Sequence, residues 1–358
     1  MKKIASIFSV FFIVIICLPR VDAQQKKNFH EWWNDQNVGK PLTNPDAKKL
    51  PLIKVKGNKF VNEPGDTILF RGVSISDPDK IEHQGHWNKQ HFIKVKEMGT
   101  MLVRIPVHPV AWRERTPEKY LELLDQAIGW CTELGMYAII DWHSIGNLKM
   151  EIFQDPMYKT SKTETYDFWR TIARHFKGNN TAAFYEIFNE PTLYFGELGR
   201  MSWDEWKKIN EDIIGLIRAY DKDKIPLVAG LDWAYDLTPL LINPIEAEGI
   251  GYVTHPYPDK RSKPYELKWE ENFGFASNQY PIIATEIGFT LGKEGIADNG
   301  DYGKAIINYL EEKGISWTAW VFDPEWYPQM IESWSTYNLT ESGKFFSDAM
   351  QNKSTKSK

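Results

Sequence analysis

Cysteine is scarce in this chain of 358 residues: there are two, Cys17 and Cys131. Cys17 sits in an apolar N-terminal run, so the chain beyond it holds one thiol and no intramolecular disulfide. Its stability must come from a core alone. Positive charge is also short. The formal net charge is −5, and the first 23 residues carry Lys2, Lys3 and Arg20 against Asp22, which leaves −7 on the rest. That balance disfavours nucleic acid and anionic membrane surfaces as partners and suits a neutral substrate. The apolar run Ile4 to Leu18 is too short for a membrane span. A Gly-rich phosphate turn is missing after the first strand candidate, where the chain reads Ser74-Ile75-Ser76-Asp77-Pro78. A doubly wound nucleotide-binding sheet would want one there.

Hydrophobic residues make up 42% and charged residues 25%, enough for a large core and against disorder. Fifteen tryptophans are many for this length. They suit a protein that handles flat apolar faces such as sugar rings, with about half of them expected in the core.

Lys2-Lys3, the apolar run and Val21-Asp22-Ala23 have the order of a secretory signal peptide over residues 1–23, cut before Gln24. A secreted or periplasmic protein is then expected. Cys17 raises a lipid anchor as the alternative, but Ile16 before it is too bulky for that signal. Residues 24–50 are polar and read as a leader or tether. Leu52 to Val61 alternates around Gly57-Asn58, a β-hairpin expected to plug one end of the domain behind it. One folded domain is expected over 51–350, with a frayed tail over 351–358.

Eight short apolar strand candidates then recur: Ile68–Ser74, Met101–Ile105, Tyr137–Asp141, Phe184–Phe188, Pro226–Gly230, Gly251–Thr254, Ile282–Glu286 and Ser316–Val321. Apolar on both faces, they suit a parallel sheet covered on both sides. Helical patterns lie between most of them. Thr116-Pro117 opens one that Gly135 ends, Thr163–Phe176 is a second, Ser202 with Glu205 caps a third, and Asp301–Lys313 is stopped by Gly314. The beat predicts an α/β fold, a single (β/α)8 TIM barrel with a short N-terminal β-hairpin. Cys131, on an apolar helical stripe, is expected to be buried and inert.

Function in such barrels collects where the strands end. Those ends carry Arg104, then Asp141-Trp142-His143, Asn189-Glu190-Pro191, His255-Pro256-Tyr257, Glu286 and Trp320. Two glutamates on two buried strands are what a two-carboxylate hydrolase needs. Pro191 is expected to stop backbone pairing just past Glu190.

This ordered set resembles glycoside hydrolase family 5, across roughly Leu52 to Met350. The resemblance implies Glu190 as acid/base and Glu286 as nucleophile. It implies substrate contacts by Arg104, His143, Asn189, His255, Tyr257 and Trp320. Its cellulase branches imply a retaining endo-β-1,4-glucanase. A β-mannanase, a xyloglucanase or a mixed-linkage glucanase is the alternative, and a non-catalytic sugar-binding barrel the remote one. No cofactor is implied, and a monomer is expected.

The chemistry is consistent with those roles. Glu286 must be ionised to attack, and Arg104 is a fixed cation placed to hold it so. Glu190 must begin protonated. Asn189 can bind the 2-hydroxyl of the reacting sugar, Tyr257 can donate to Glu286, and Trp320 can offer a flat face. Trp142, Trp233 and Trp326 are weighed evenly between sugar platforms and core. Asp141 and Asp232 are expected to hold loops. His83, His86 and His91 cluster after the first strand, but their spacing matches no metal-ligand pattern. His86 or Trp87 is expected to reach the cleft instead.

Overall fold

A computed structural model describes residues 49–192, 198–291, 297–298 and 301–352. The expected signal peptide, the leader up to residue 48 and residues 353–358 of the tail lie outside the described residues.

Eight parallel strands close into a barrel in chain order. They are β1 Arg71–Ile75, β2 Leu102–Val107, β3 Tyr137–Trp142, β4 Ala182–Glu186, β5 Ile225–Ala229, β6 Gly251–Val253, β7 Ile282–Ile287 and β8 Ser316–Phe322. Pairing of Trp317 with Arg71 closes the ring. The predicted eight strands are all present. The first is shifted, because Thr67–Ile68 joins the hairpin sheet and β1 starts only at Arg71.

Helices wrap the outside: α1 Pro78–His83, α2 Lys89–Glu97, α3 Pro109–Arg115, α4 Pro117–Leu134, α5 Lys162–His175, α6 Trp203–Tyr220, α7 Tyr265–Asn272, α8 Tyr302–Lys313 and α9 Glu341–Asn352. Their ends reflect the local chemistry. Ser202 and Glu205 form the reciprocal capping box at the start of α6. Gly135 and Gly314 end α4 and α8 in the left-handed conformation, at φ 68° and 64°. The connection from β5 to β6 is not an α-helix but a single 3-10 turn, Thr238–Leu241. Cys131 is buried on α4, where burial pushes its thiol pKa up.

The hairpin Lys54–Lys56 and Lys59–Val61 plugs the base, as its alternation predicts. Phe60 lies edge-on to Phe184 and Phe70, with ring centroids 5.2 and 6.2 Å away. Tyr137, Ile139, Leu227 and Ile283 complete this inner cluster. A filled base leaves the opposite rim, where the strands end, as the open mouth.

One small sheet at that mouth has no counterpart in the expectations. Ile145–Asn147 runs parallel to Glu190–Pro191 and antiparallel to Ile152–Phe153. Pro191 therefore does not stop the pairing. The ladder needs donors only from its neighbours: Glu190 N donates to Ser144 O at 3.1 Å and Thr192 N to Gly146 O at 3.1 Å. Gly146 is required here, since a Cβ would fall 2.5 Å from Ile152 O. No helix among the described residues is long and apolar enough to cross a membrane.

Candidate active site

β4 and β7 bring Glu190 and Glu286 to the mouth from opposite sides. An oxygen of each, together with a nitrogen of His255, all lie within 4.8 Å of one another. The carboxylates are 9% and 5% exposed, open enough to meet a substrate and dry enough to feel their neighbours. Glu286 is held on both oxygens. Arg104 Nη1 donates to Oε1 at 2.7 Å, and Tyr257 Oη donates to Oε2 at 2.8 Å.

Arg104 is wholly buried and does more than serve Glu286. Its Nε and Nη2 form a two-pronged bond to Glu186, at 2.7 and 3.0 Å. Nη2 also donates to Asn189 Oδ1 at 2.6 Å and lies 2.9 Å from Asp141 Oδ2. Burial opposes its charge, but Asp141, Glu186 and Glu286 together keep its pKa well above the ordinary value. The cation is thus divided among three carboxyls. Glu286 receives only part of it. Burial raises the Glu286 pKa, the charges of His255 and Arg104 oppose that, and Glu190 adds to it.

His255 joins the two halves. Its Nδ1 lies 2.9 Å from Glu190 Oε1 and its Nε2 2.9 Å from Thr285 Oγ1. Thr285 in turn donates to Glu186 Oε1 at 2.9 Å. Burial alone would lower the His255 pKa, but Glu286, Glu186 and Glu190 outweigh it and push it up to about 9. Burial would likewise raise Glu186, but Arg104 and His255 bring it below its usual value. One hydrogen-bonded chain therefore runs Glu190, His255, Thr285, Glu186, Arg104, Glu286.

His143 is a different kind of histidine. Its Nδ1 lies 2.6 Å from Asp141 Oδ2, and burial together with the charges of His108, Arg104 and His255 lowers its pKa well below the usual value. Its ring stacks on Trp320, centroids 5.3 Å apart and nearly parallel, and Trp326 stacks on Trp320 in turn at 5.8 Å. Asp141, expected to hold a loop, instead ties His143 to Arg104. Burial lifts its pKa well above the ordinary value, which fits an Oδ1 that has no hydrogen-bond partner.

Arg104, His143, Asn189, His255, Tyr257 and Trp320 thus converge with the two glutamates. Trp142 does not. It is fully buried, stacked on Phe168 at 4.1 Å, and its indole donates to Thr165 at 3.1 Å. At the end of β3 it points outward into the helical layer, opposite to Asp141 and His143 on either side. Trp233 is half-buried at the rim, on a turn where Asp232, Trp233 and Ala234 all have positive φ. The turn is pinned by Trp233 N to Pro191 O, just past Glu190. Asp232 holds this loop by Arg261, as expected. Trp87 bonds Gln126 and packs on Phe92 and Trp130, away from the cleft, and His86 stacks on Trp334. His91 is buried, which lowers its pKa to about 3.

Glu186 and Thr285 were not anticipated. The signal was there for Glu186: a carboxylate inside the apolar run Phe184–Phe188 is costly unless a cation meets it. Among the described residues, Glu190, His255 and Glu286 are the group close enough to hold a metal ion by distance. The oxygens of Glu286 are already taken by Arg104 and Tyr257, and the cation beside them disfavours a second one.

Comparison with known proteins fits this geometry. The profile described as Cellulase (glycosyl hydrolase family 5) matches residues 61–325. The chain belongs to glycosyl hydrolase family 5. The family 5 chain is 43% identical to the native β-glucanase SdGluc5_26A from Saccharophagus degradans, covering 90% of this chain and 99% of that one with a TM-score of 0.86. A second structure of that β-glucanase is a complex with cellotetraose. Among curated relatives, endoglucanase E-5 of Thermobifida fusca is 24% identical over 335 residues, and an endoglucanase of Clostridium saccharobutylicum 25% over 319. They cover 87% and 85% of this chain, which spans 66% of each of those proteins.

Proposed function

We propose that the chain is an exported endo-β-1,4-glucanase that cuts its polymer with retention. The observation that carries this is the approach of Glu190 and Glu286 within 4.8 Å, with Arg104 and Tyr257 on one and His255 on the other. Retaining enzymes hold their carboxyls about 5–5.5 Å apart and inverting ones about 6.5–9.5 Å, since the latter must leave room for a water between.

Charge supports the division of roles. The nucleophile must be ionised, and an arginine cation and a hydroxyl donor on one carboxylate favour its charged form. Glu286, held by Arg104 and Tyr257, takes that part. It attacks the anomeric carbon while Glu190 passes its proton to the departing sugar oxygen. Water then attacks the glycosyl-enzyme, Glu190 accepts its proton, and Glu286 is released. Asn189, anchored by Arg104, meets the 2-hydroxyl of the reacting sugar. Trp320 supplies the apolar floor, and Trp233 a platform on the side of Glu190.

The glucan reading draws on the relatives named glucanase and endoglucanase, and on the cellotetraose complex of the Saccharophagus degradans β-glucanase. Export draws on the signal pattern of residues 1–23. A panel of soluble cellulose, glucomannan, xyloglucan and mixed-linkage glucan tests the substrate, with product sizes by chromatography. Early proton NMR should show the β-anomer first. Fresh α-anomer, or no cut in any glucan, would sink the proposal.

A further inference from the structure

The mechanism leaves three buried histidines unused, His91, His108 and His175, and one of them stands beside the site. His108 comes just after β2 and starts α3, four residues past Arg104. It is 2% exposed, and its fixation is unusually complete. Asp77 Oδ2 accepts from the His108 backbone N at 2.8 Å and lies 2.9 Å from its Nδ1. The other oxygen of Asp77 accepts from Tyr120 Oη at 2.8 Å and from Asp79 N at 2.7 Å. A carboxylate so placed can only accept, so Nδ1 carries a hydrogen and the ring cannot turn. Nε2 is left over. It has no partner among the described residues, yet it is not sealed in the interior as His91 Nε2 and His175 Nδ1 are.

Its surroundings say where that nitrogen is presented. The ring packs 4.7 Å from His143, 5.3 Å from Trp326 and 5.6 Å from Tyr158, on which it stacks. These rings border the reacting centre: Trp326 lies on Trp320, Tyr158 lies 6.1 Å from His143, and the Asp77–His108 pair stands beside the Asp141–His143 pair. Aromatic walls with one fixed polar nitrogen suit a sugar ring and one of its hydroxyls, which can donate or accept as needed.

We propose that His108, fixed by Asp77, is a substrate-positioning residue that binds a hydroxyl of the sugar adjoining the reacting one in a β-linked gluco-oligosaccharide. This rests on the glucanase activity proposed for the site. Binding is measured by calorimetry with cellotetraose in the inactive Glu286→Gln background, with and without His108→Ala. Cleavage of cellotetraose is followed in the active background. A lost hydrogen bond of this kind is worth about 0.5–1.5 kcal/mol, so the Kd should rise about 2- to 13-fold. KM should rise with it while kcat changes less. His108→Gln, which keeps a polar tip, should recover part of the loss, and Asp77→Asn should weaken binding by freeing the ring.

A melting temperature that falls while Kd and KM stay put makes the pair structural and overturns the proposal. So does a kcat loss with KM unchanged. If His108→Ala does not fold, His108→Gln decides by the same ratios. A parent enzyme that ignores cellotetraose sinks the proposed function itself; a parent that cuts it, with variant-to-parent ratios of one, sinks only His108.

Discussion

Replacing Glu186 by glutamine removes one negative charge from the barrel interior and almost no volume. The loss is felt at both ends of the hydrogen-bonded chain. Toward Arg104, a two-pronged ion pair becomes a single bond plus two facing donors, and Arg104 keeps only part of its compensation. Breaking a buried pair on one side costs about 3–5 kcal/mol. At about 2 °C per kcal/mol for a domain this large, the melting temperature should fall about 6–10 °C. Toward His255, the Glu186 oxygen lies 3.7 Å from Nε2. Coulomb's law at that distance, with an effective dielectric near 20, gives about 4.5 kcal/mol as an upper bound. Charge spread over both groups reduces that to about 2 kcal/mol, or about 1.5 pK units. His255, pushed up to about 9 in the parent, should titrate near about 7.5 in the variant.

The effect on stability has a definite sign. A histidine raised on folding adds stability that is fully present below its unfolded value of about 6.5 and is lost as pH rises through about 9. Melting curves of the parent from pH 6 to 10 should therefore slope downward across that window, and those of Glu186→Gln should slope less. Nitrogen NMR of labelled histidine reads the titration directly. A folded Glu186→Gln enzyme whose His255 still titrates near 9, with a melting temperature within 1 °C of the parent, would refute the chain of reasoning.

Glu286→Gln should keep the fold and lose at least about 10⁴-fold in kcat, as expected when a covalent nucleophile is removed; circular dichroism with sensitive kinetics checks it. Glu190→Ala should retain activity on aryl glycosides with good leaving groups and gain more with azide, with glycosyl azide visible by mass spectrometry. Trp142→Ala should cost about 3–5 kcal/mol in stability with KM unaltered for whatever folds, since it empties core volume. Trp233→Ala should do the reverse, raising KM and sparing the melting temperature; equal effects from both would deny the difference in their placement.

Periodicity made the barrel readable. Strands buried on both faces have no polar side to confuse them, and Gly135, Gly314 and the Ser202–Glu205 pair punctuate the helices in sequence alone. The site was readable where a polar residue stood at a strand end. It was less so elsewhere: Glu186 looked like a strand residue, Asp141 was expected to hold a loop, and both roles depend on Arg104 reaching across from β2. Trp142 shows the converse failure. It adjoins His143 in sequence, but side chains alternate along a strand, so the neighbour of a cleft residue faces the helices. The sheet joining Ile145–Asn147 to Glu190–Pro191 was hidden for another reason. Proline argues against a central strand, and only the spatial neighbour shows that its missing donor is not needed.

The aromatic plug at the barrel's base also decides how the molecule can be attached to anything. Leu50 and Pro51 are anchored there by Asn180 and Tyr137. The end of α9 meets the turn before β2, through Gln351 on Glu97 and Met350 against Gly99. Leu50 and Gln351, near the two ends of the described residues, thus both lie on the sealed side. A bead, a scaffold or an added module fused directly at Leu50 or Gln351 would hold the barrel with its mouth turned outward.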